Sequence, residues 1–478
     1  AELWMEDGYT TIRRVLPGPA ARSGQVKAGD RIIAVAQKGQ APVDVVDMPL
    51  PKVVELIRGP EGTPVRLTIL PVDAVDPAAR KTITLVREEI KLEDQEAKAE
   101  IIEFPIRQGR TLRMGVIDLP SFYEDMEALG FSDHKSSTSD VAKLLEKLKR
   151  EQIRGLILDL RQNGGGSLDE AIRLTGLFID RGPVVQVKNA NDKVKTYSSK
   201  TPKARYDGPL IVLTSRASAS ASEILAGALQ DYGRALIVGD NSTFGKGTVQ
   251  SVLELGPLMR QMGFRRSGNA GAWTLTIQKF YRPGGSSTQL RGVVPDLPLP
   301  SLENIAEFGE EYLFNPLPWD TIEAAKFKPL NLVQPRLAEL RARSARRVAT
   351  DKDFAYLKAD IERFRQRQAQ QSVSLNEAER RREQKELAAQ LEARKQERLA
   401  RQAPEQTAYA ITLANAARPG LPPPIPKTNT LAAANLQPRP AMEDPDDPLF
   451  LAQDSEVDVT FEEAKRILAD YIELLSAK

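Results

Sequence analysis

The chain has 478 residues and a mass of 52.8 kDa, enough for about three or four folding units of ~100–200 residues each. Hydrophobic residues make up 41% and charged residues 28%, and the net charge is only +2, so no global basic field draws in nucleic acid or a membrane. With no cysteine and one histidine, His134, the sequence excludes disulfides, Fe–S clusters, thiolate zinc sites, a cysteine nucleophile and a multi-histidine metal site.

The N-terminal Ala-Glu-Leu-Trp-Met lacks an initiator Met, a basic n-region and an apolar h-region, so no signal peptide is expected here. It reads as a mature or trimmed chain that begins inside a folded element. No run of about 18 apolar residues follows, so no helix is expected to span a bilayer. Residues 1–89 read as short strands and turns: strands at 10–15, 31–35, 65–70 and 81–86, with a short helix at 51–58. Val53, Val54 and Ile57 on that helix are candidates to line a groove. The order of strand, Pro-Ala-Ala helix, Gly29-Asp30 strand, short helix and two strands resembles a PDZ domain. The resemblance implies capture of a free C-terminus as an added strand. The carboxylate-binding loop of that family would lie ahead of the first residue and is expected to be absent from this chain.

Residues 90–302 alternate strands and helices, which implies a mostly parallel sheet with ligands at the strand C-terminal ends. Strands are predicted at 114–119, 156–160, 209–214, 235–238 and 272–281. Helices are predicted at 140–149, from about Leu168, and at 222–232. Residues 303–402 read as helices of alternating charge. Residues 403–453 are Pro- and Ala-rich, a composition that favours extended, poorly ordered chain. Within 454–478, residues 460–475 form an amphipathic helix whose stripe contains Phe461, Ala464, Ile467, Leu468, Tyr471, Ile472 and Leu475. It is suited to dock on its own catalytic body or on a neighbour.

Three segments carry residues fit for chemistry. Ser218-Ala219-Ser220-Ala221-Ser222-Glu223 lies between a strand and a helix, where unpaired N–H groups favour an oxyanion beside an exposed serine. Alone, such alternating Ser and Ala more often marks a close-packed helix start with an N-cap. A hydroxyl nucleophile needs a base. His134 lies in a polar loop and reads as solvated. A lysine serves instead where burial disfavours its ammonium. Lys246 in Thr243-Phe244-Gly245-Lys246-Gly247-Thr248-Val249-Gln250 has flanking glycines, Phe244 to exclude water and Gln250 to hold its amine. A Walker A loop is excluded there. Five residues rather than four separate Gly239 from Gly245, and Gly247 replaces the Ser or Thr that would bind magnesium. The third segment is Asp159-Leu160-Arg161-Gln162-Asn163-Gly164-Gly165-Gly166, a glycine turn directly after a buried strand.

Taken together, DLRQNGGG (159–166), SASASEILAGALQDYGRA (218–235), TFGKGTVQ (243–250) and GVVPD (292–296) resemble the tail-specific, or C-terminal processing, serine proteases, in the larger Gram-negative periplasmic form. The resemblance spans about residues 1–300 and extends to the charged helical tail. It implies a multidomain α/β protein: a PDZ-like domain, a crotonase/ClpP-like core and a helical C-terminal extension. It also implies Ser220 as nucleophile, Lys246 as base and Gln250 as its orienting partner. Ala221 and the Gly164 or Gly165 amide would form the oxyanion hole, with Glu223 and Asp231 in support. No metal or cofactor is implied. The implied substrates are proteins with free, apolar C-terminal tails, including cell-envelope enzymes. An adaptor lipoprotein and a peripheral position at the inner membrane belong to the same expectation, and nucleic acid does not. The loop Asp240-Asn241-Ser242 is one residue longer than the family's, which bears on where Lys246 sits. Two other classes stay open at this point. A non-catalytic peptide-binding scaffold would keep the groove without the dyad. An α/β acyl-transfer enzyme would not need a PDZ-like domain.

Overall fold

The computed structural model describes residues 1–6, 8–15, 18–74, 76, 79–88, 96–106, 110–125, 135–263, 271–305, 307–370, 372, 374–401, 406–426 and 457–476. His134 and residues 427–453 of the Pro/Ala-rich stretch lie outside them. The chain forms two compact units, Ala1–Gln95 and Glu96–Lys478.

The first unit is an antiparallel sheet with two short helices. Its elements are β1 (Glu2–Glu6), β2 (Tyr9–Arg14), α1 (Pro19–Ser23), β3 (Arg31–Gln37), β4 (Val43–Asp44), α2 (Leu50–Ile57), β5 (Pro64–Leu70) and β6 (Lys81–Val86). The sheet runs β1-β2-β3-β5-β6 with β4 also on β3, so β1 is an edge strand. Alternation in β5 sends Val65, Leu67 and Ile69 inward to meet Ile12, Ile32, Val35 and Ile83. Val53 joins them and is wholly buried, so it is a core residue and not a groove residue. Successive helical residues are rotated by about 100°, so neighbouring valines cannot share a face. Val54 and Ile57, three apart, lie on one side and stay half-buried.

The second unit is built on a seven-stranded sheet. Its first elements are β7 (Lys98–Pro105), β8 (Thr111–Asp118), α3 (Ser137–Arg150), β9 (Gly155–Asp159), α4 (Leu168–Thr175), β10 (Gly182–Asn189), β11 (Val194–Ser199), β12 (Leu210–Thr214) and α5 (Ala221–Asp231). Then come β13 (Leu236–Gly239), β14 (Thr248–Glu254), α6 (Leu255–Gln261), β15 (Ala272–Tyr281) and β16 (Leu297–Pro298). The helical region follows with α7 (Gln334–Thr350), α8 (Lys352–Gln370) and α9 (Glu377–Ala400), then β17 (Thr407–Ile411) and α10 (Val459–Ser476).

The sheet order is β16-β13-β12-β9-β8-β7-β17. Pairing is parallel from β16 to β8 and antiparallel at β7 and β17, so the sheet is mostly parallel as expected. Every residue of β9 and β12 is buried, which suits strands covered on both faces. One face packs on α3, α4 and α5 through Leu144, Leu148, Leu174 and Leu225. The other is covered by α7 and α10, where Phe461, Ile467, Leu468 and Tyr471 meet Ile157, Ile211 and Leu213. The amphipathic helix therefore docks on its own catalytic body. Gly155 permits the approach, since a Cβ there would lie 2.8 Å from both Leu468 and Ile472. A separate antiparallel sheet, β11-β10-β15-β14, carries the segment after Lys246.

The stretch read as extended chain contributes β17, which pairs with β7 from Thr407↔Glu103 to Ile411↔Ala99. Its Thr-Ala-Tyr-Ala-Ile run buries Ala408 on one face of the sheet and Ile411 on the other. Five residues of strand pattern are outweighed by the surrounding prolines when composition is read over the whole segment.

Candidate active site

The turn from β12 into α5 presents three serines in different ways. The Ser218 hydroxyl donates to Leu160 O (2.7 Å) and the Ser222 hydroxyl to Asn163 O (2.8 Å). Both are wholly buried and committed to the glycine turn after β9. Ser220 between them is half-exposed and sits immediately before the first residue of α5. Its backbone has φ 57° and ψ −110°, a left-handed conformation for a residue with a Cβ. Holding such a residue there costs about 1–3 kcal/mol. The next residue, Ala221, opens the helix, where an N–H has no intrahelical acceptor.

The base loop is tied to the nucleophile by Glu223. Its Oε2 accepts from the Ser220 N–H (2.7 Å) and the Lys246 N–H (3.0 Å). The two amide nitrogens therefore lie no further apart than those two bonds end to end. Oε1 accepts from the Thr243 hydroxyl (2.6 Å) and the Gly245 N–H (2.8 Å). Glu223 is wholly buried, and burial pushes its carboxyl up to about 8, while the four donors pull the other way. Three of the four donors are backbone N–H groups that cannot accept, and only the Thr243 hydroxyl could turn to receive a proton from Oε1, so this bond pattern fits the anion. Ser220-Ala221-Ser222-Glu223 has capping-box spacing, so one side chain serves as helix cap and as tie to a second loop.

The rest of the Lys246 main chain is held as firmly. Its carbonyl accepts from the Thr288 hydroxyl (3.2 Å), Gly247 N–H donates to Gln289 Oε1 (2.8 Å), and Gly245 O accepts from Leu290 N–H (2.8 Å). The amine donates to Gln250 Oε1 at 2.9 Å, the pairing the sequence suggested. A β-bulge between Val249 and Gln250 re-aims β14 at this point. Among the described residues, no hydrogen bond joins Lys246 Nζ to Ser220 Oγ. The fold thus unites the two backbones and leaves the final approach of amine to hydroxyl to the lysine side chain. Phe244 packs edge-on against Phe308, with ring centres 5.4 Å apart.

Gly165 lies against the nucleophile: with φ +110°, a Cβ there would sit 2.8 Å from Ser220 Cβ and 3.0 Å from Ala219 O. Its own N–H donates to Asn163 Oδ1 (2.9 Å), so that amide is taken. Gly164, exposed and with nothing near its missing side chain, and Ala221 are the remaining predicted oxyanion contributors. Asp231 is not brought to Ser220. It ends α5, a helix length away, where it pairs with Arg282 and accepts from Gly284 N–H (2.8 Å). Val54 and Ile57 belong to the first unit. Three positioning residues went unread in the sequence: Thr243, Asn163 and Gln289. The first two stand at the edges of glycine-bearing segments, a usable signal; Gln289 carries none.

Residues 113–299 match the model of peptidase family S41, residues 304–473 that of the C-terminal domain of tail specific protease, and residues 5–70 that of the PDZ domain. The chain belongs to the tail-specific, or C-terminal processing, protease family. It is 39% identical over 381 residues to the tail-specific protease of Haemophilus influenzae, covering 78% of this chain and 51% of that protein. It is 35% identical over 287 residues to the carboxy-terminal-processing protease of Bartonella bacilliformis, covering 59% and 57%. The chain spans roughly half the length of these curated relatives. Among solved structures, the photosystem II D1 C-terminal processing protease is 25% identical at a TM-score of 0.36, over 62% of this chain and 71% of that one. The PDZ domain of the Vibrio cholerae carboxy-terminal protease, solved with a peptide, is 49% identical at a TM-score of 0.18, over 19% of this chain and 93% of that one. Among the described residues, no helix is long and apolar enough to cross a membrane.

Proposed function

We propose that this chain is a serine endopeptidase that cleaves proteins selected by unstructured, apolar C-terminal tails. The observation that carries the reading is Ser220, strained at the mouth of α5, sharing one Glu223 oxygen with the backbone of Lys246. In its uncharged form the Lys246 amine takes the Ser220 proton as the hydroxyl oxygen attacks the scissile carbonyl. Gln250 Oε1 holds the amine between turnovers. The oxyanion is met by Ala221 N–H and an N–H of the Gly164–Gly166 turn, at the positive end of a helix. The lysine then protonates the leaving amine, and water hydrolyses the acyl-enzyme by the same path in reverse. Ser220→Ala and Lys246→Ala should each abolish cleavage of an unstructured protein while leaving the melting temperature unchanged. Wild-type turnover in either would end the proposal.

Tail selection rests on the first unit. The open edge of β1 lies beside α2, so an incoming strand pairs with β1 and sets its alternate side chains against Val54 and Ile57. Amidating a substrate's terminal carboxylate should slow cleavage several-fold; equal rates would argue against tail reading. Family membership also supports a periplasmic site of action, in processing and turnover of envelope proteins with a lipoprotein adaptor at the inner membrane. Cell fractionation and cross-linking test that placement.

A further inference from the structure

The turn that backs the nucleophile is anchored by a residue from the far end of the chain. Arg161 follows β9 and precedes the glycines of the same turn. Its guanidinium grips Asp159 in bidentate fashion (Nη2 to Oδ2, 2.7 Å; Nε to Oδ1, 3.0 Å). Its Nη1 contacts both oxygens of Asp458, at 2.9 and 2.7 Å. Asp458 is 297 residues away in sequence. The side chains are 13% and 8% exposed, so the pair is largely withdrawn from water and screening. Asp458 is also the residue that starts α10, accepting from the Phe461 N–H (2.9 Å) at its side chain and from the Glu462 N–H (2.9 Å) at its carbonyl.

From Arg161 the connections run straight to the nucleophile. Its carbonyl accepts from the Ser215 hydroxyl (2.6 Å), and the carbonyl before it from the Ser218 hydroxyl. Asn163, two residues on, accepts at its carbonyl from the Ala219 N–H (3.1 Å) and the Ser222 hydroxyl. The turn and the serine loop form one hydrogen-bonded body, and Arg161 is its handle. Helix α10 therefore does more than cover the sheet.

We propose that Asp458 is a positioning residue of the protease: through Arg161 it fixes the Asn163–Gly166 turn against Ser220, making α10 a latch on the catalytic geometry. The inference rests on the peptidase reading above for its effect on turnover, and on the structure alone for its effect on the turn. Asp458→Asn is the informative change, because asparagine caps a helix as well as aspartate does and removes only the charge that holds Arg161. A displacement of the order of 1 Å at an oxyanion turn costs up to roughly a hundredfold in rate. The expected result for D458N is a ten- to hundredfold lower kcat with KM unchanged, measured well below the variant's own melting temperature. Amide hydrogen exchange at 163–167 should quicken at least about tenfold while exchange in α10 stays slow. Arg161→Lys, which keeps the charge and loses the fork, should behave alike, and the double variant should cost no more than either alone. Unchanged exchange together with unchanged kcat in both variants overturns the latch. Quickened exchange with an active Ser220→Ala protein would instead sink the peptidase reading and leave the latch standing.

Discussion

Replacing Glu223 with glutamine is the sharpest test of how the site is held. Among the described residues the carboxylate receives four donors: Ser220 N–H, Lys246 N–H, Gly245 N–H and the Thr243 hydroxyl. A carboxamide of the same shape keeps one oxygen, able to accept from one pair. Its NH2 then faces either the Ser220 and Lys246 N–H groups or, more favourably, the Gly245 N–H and the Thr243 hydroxyl, which can turn to accept. With the NH2 on the Thr243 side the Gly245 N–H alone is stranded, so the variant should lose about 1–3 kcal/mol of stability. That is a large share of the ~5–15 kcal/mol that holds a typical domain. The stranded amide belongs to the base loop, so the backbone next to Lys246 is released. Turnover should therefore fall at least about a hundredfold even under conditions where the variant is fully folded. The assay is urea unfolding of E223Q and wild type beside cleavage of one unstructured substrate, both at pH 7. Glutamine also mimics the protonated acid. Burial pushes this carboxyl up to about 8. If the neutral acid were the working form, E223Q would unfold and turn over like wild type, and Glu223 would not be the anion that ties the two loops.

Three further outcomes follow from the same geometry. Gly165→Ala places a Cβ 2.8 Å from Ser220 Cβ on a φ of +110°, so it should cost of order 1–3 kcal/mol and most of the activity, whereas Gly164→Ala meets nothing and should fold as wild type by circular dichroism and thermal melting. Asp118 lies across from Asp159 in the β8–β9 register, and burial followed by the Asp159 charge pushes its carboxyl up to about 7. Because this folded value stands above the unfolded ~3.9, its contribution to stability is complete below ~3.9 and is lost as pH rises through about 7. Asp118→Asn should thus gain roughly 1–3 kcal/mol over wild type at pH 8 and nothing at pH 4, and equal unfolding curves at pH 8 would contradict it. In the first unit Val53→Ala should cost roughly 1–3 kcal/mol by opening a core cavity, while Val54→Ser should leave stability intact and weaken binding of an apolar-tailed peptide several-fold by calorimetry.

The sequence was most readable where chemistry and periodicity are local. Ser220, Lys246 and Gln250 stand in short motifs whose spacing survives into the fold, and Lys246 does reach Gln250. The stripe from Phe461 to Ile472 names the buried face of α10 almost residue for residue. What stayed hidden depends on closure in three dimensions. Val53 and Val54 are equivalent in composition, and only the packed helix decides which one faces the core. Asp231 shares a helix with Ser220, yet the helix itself carries it away from the site. Glu223 looks like an ordinary first-turn acid until the loop at 243–246 folds over it. Arg161 and Asp458 are separated by nearly the whole catalytic region, and no local pattern announces their pairing.

Strand β17 and helix α10 have a bearing on how this protein is made. The seven-stranded sheet gains its last edge from residues 407–411, and the face over Ile157, Ile211 and Leu213 is closed by residues 459–476. Until both emerge from the ribosome, β7 offers an unpaired edge and the sheet shows an apolar side that α7 alone covers in part, a combination prone to aberrant association. Completion of the peptidase fold thus waits for residues 407–476, and a nascent chain that has already made its serine turn still lacks the segments that finish the sheet around it.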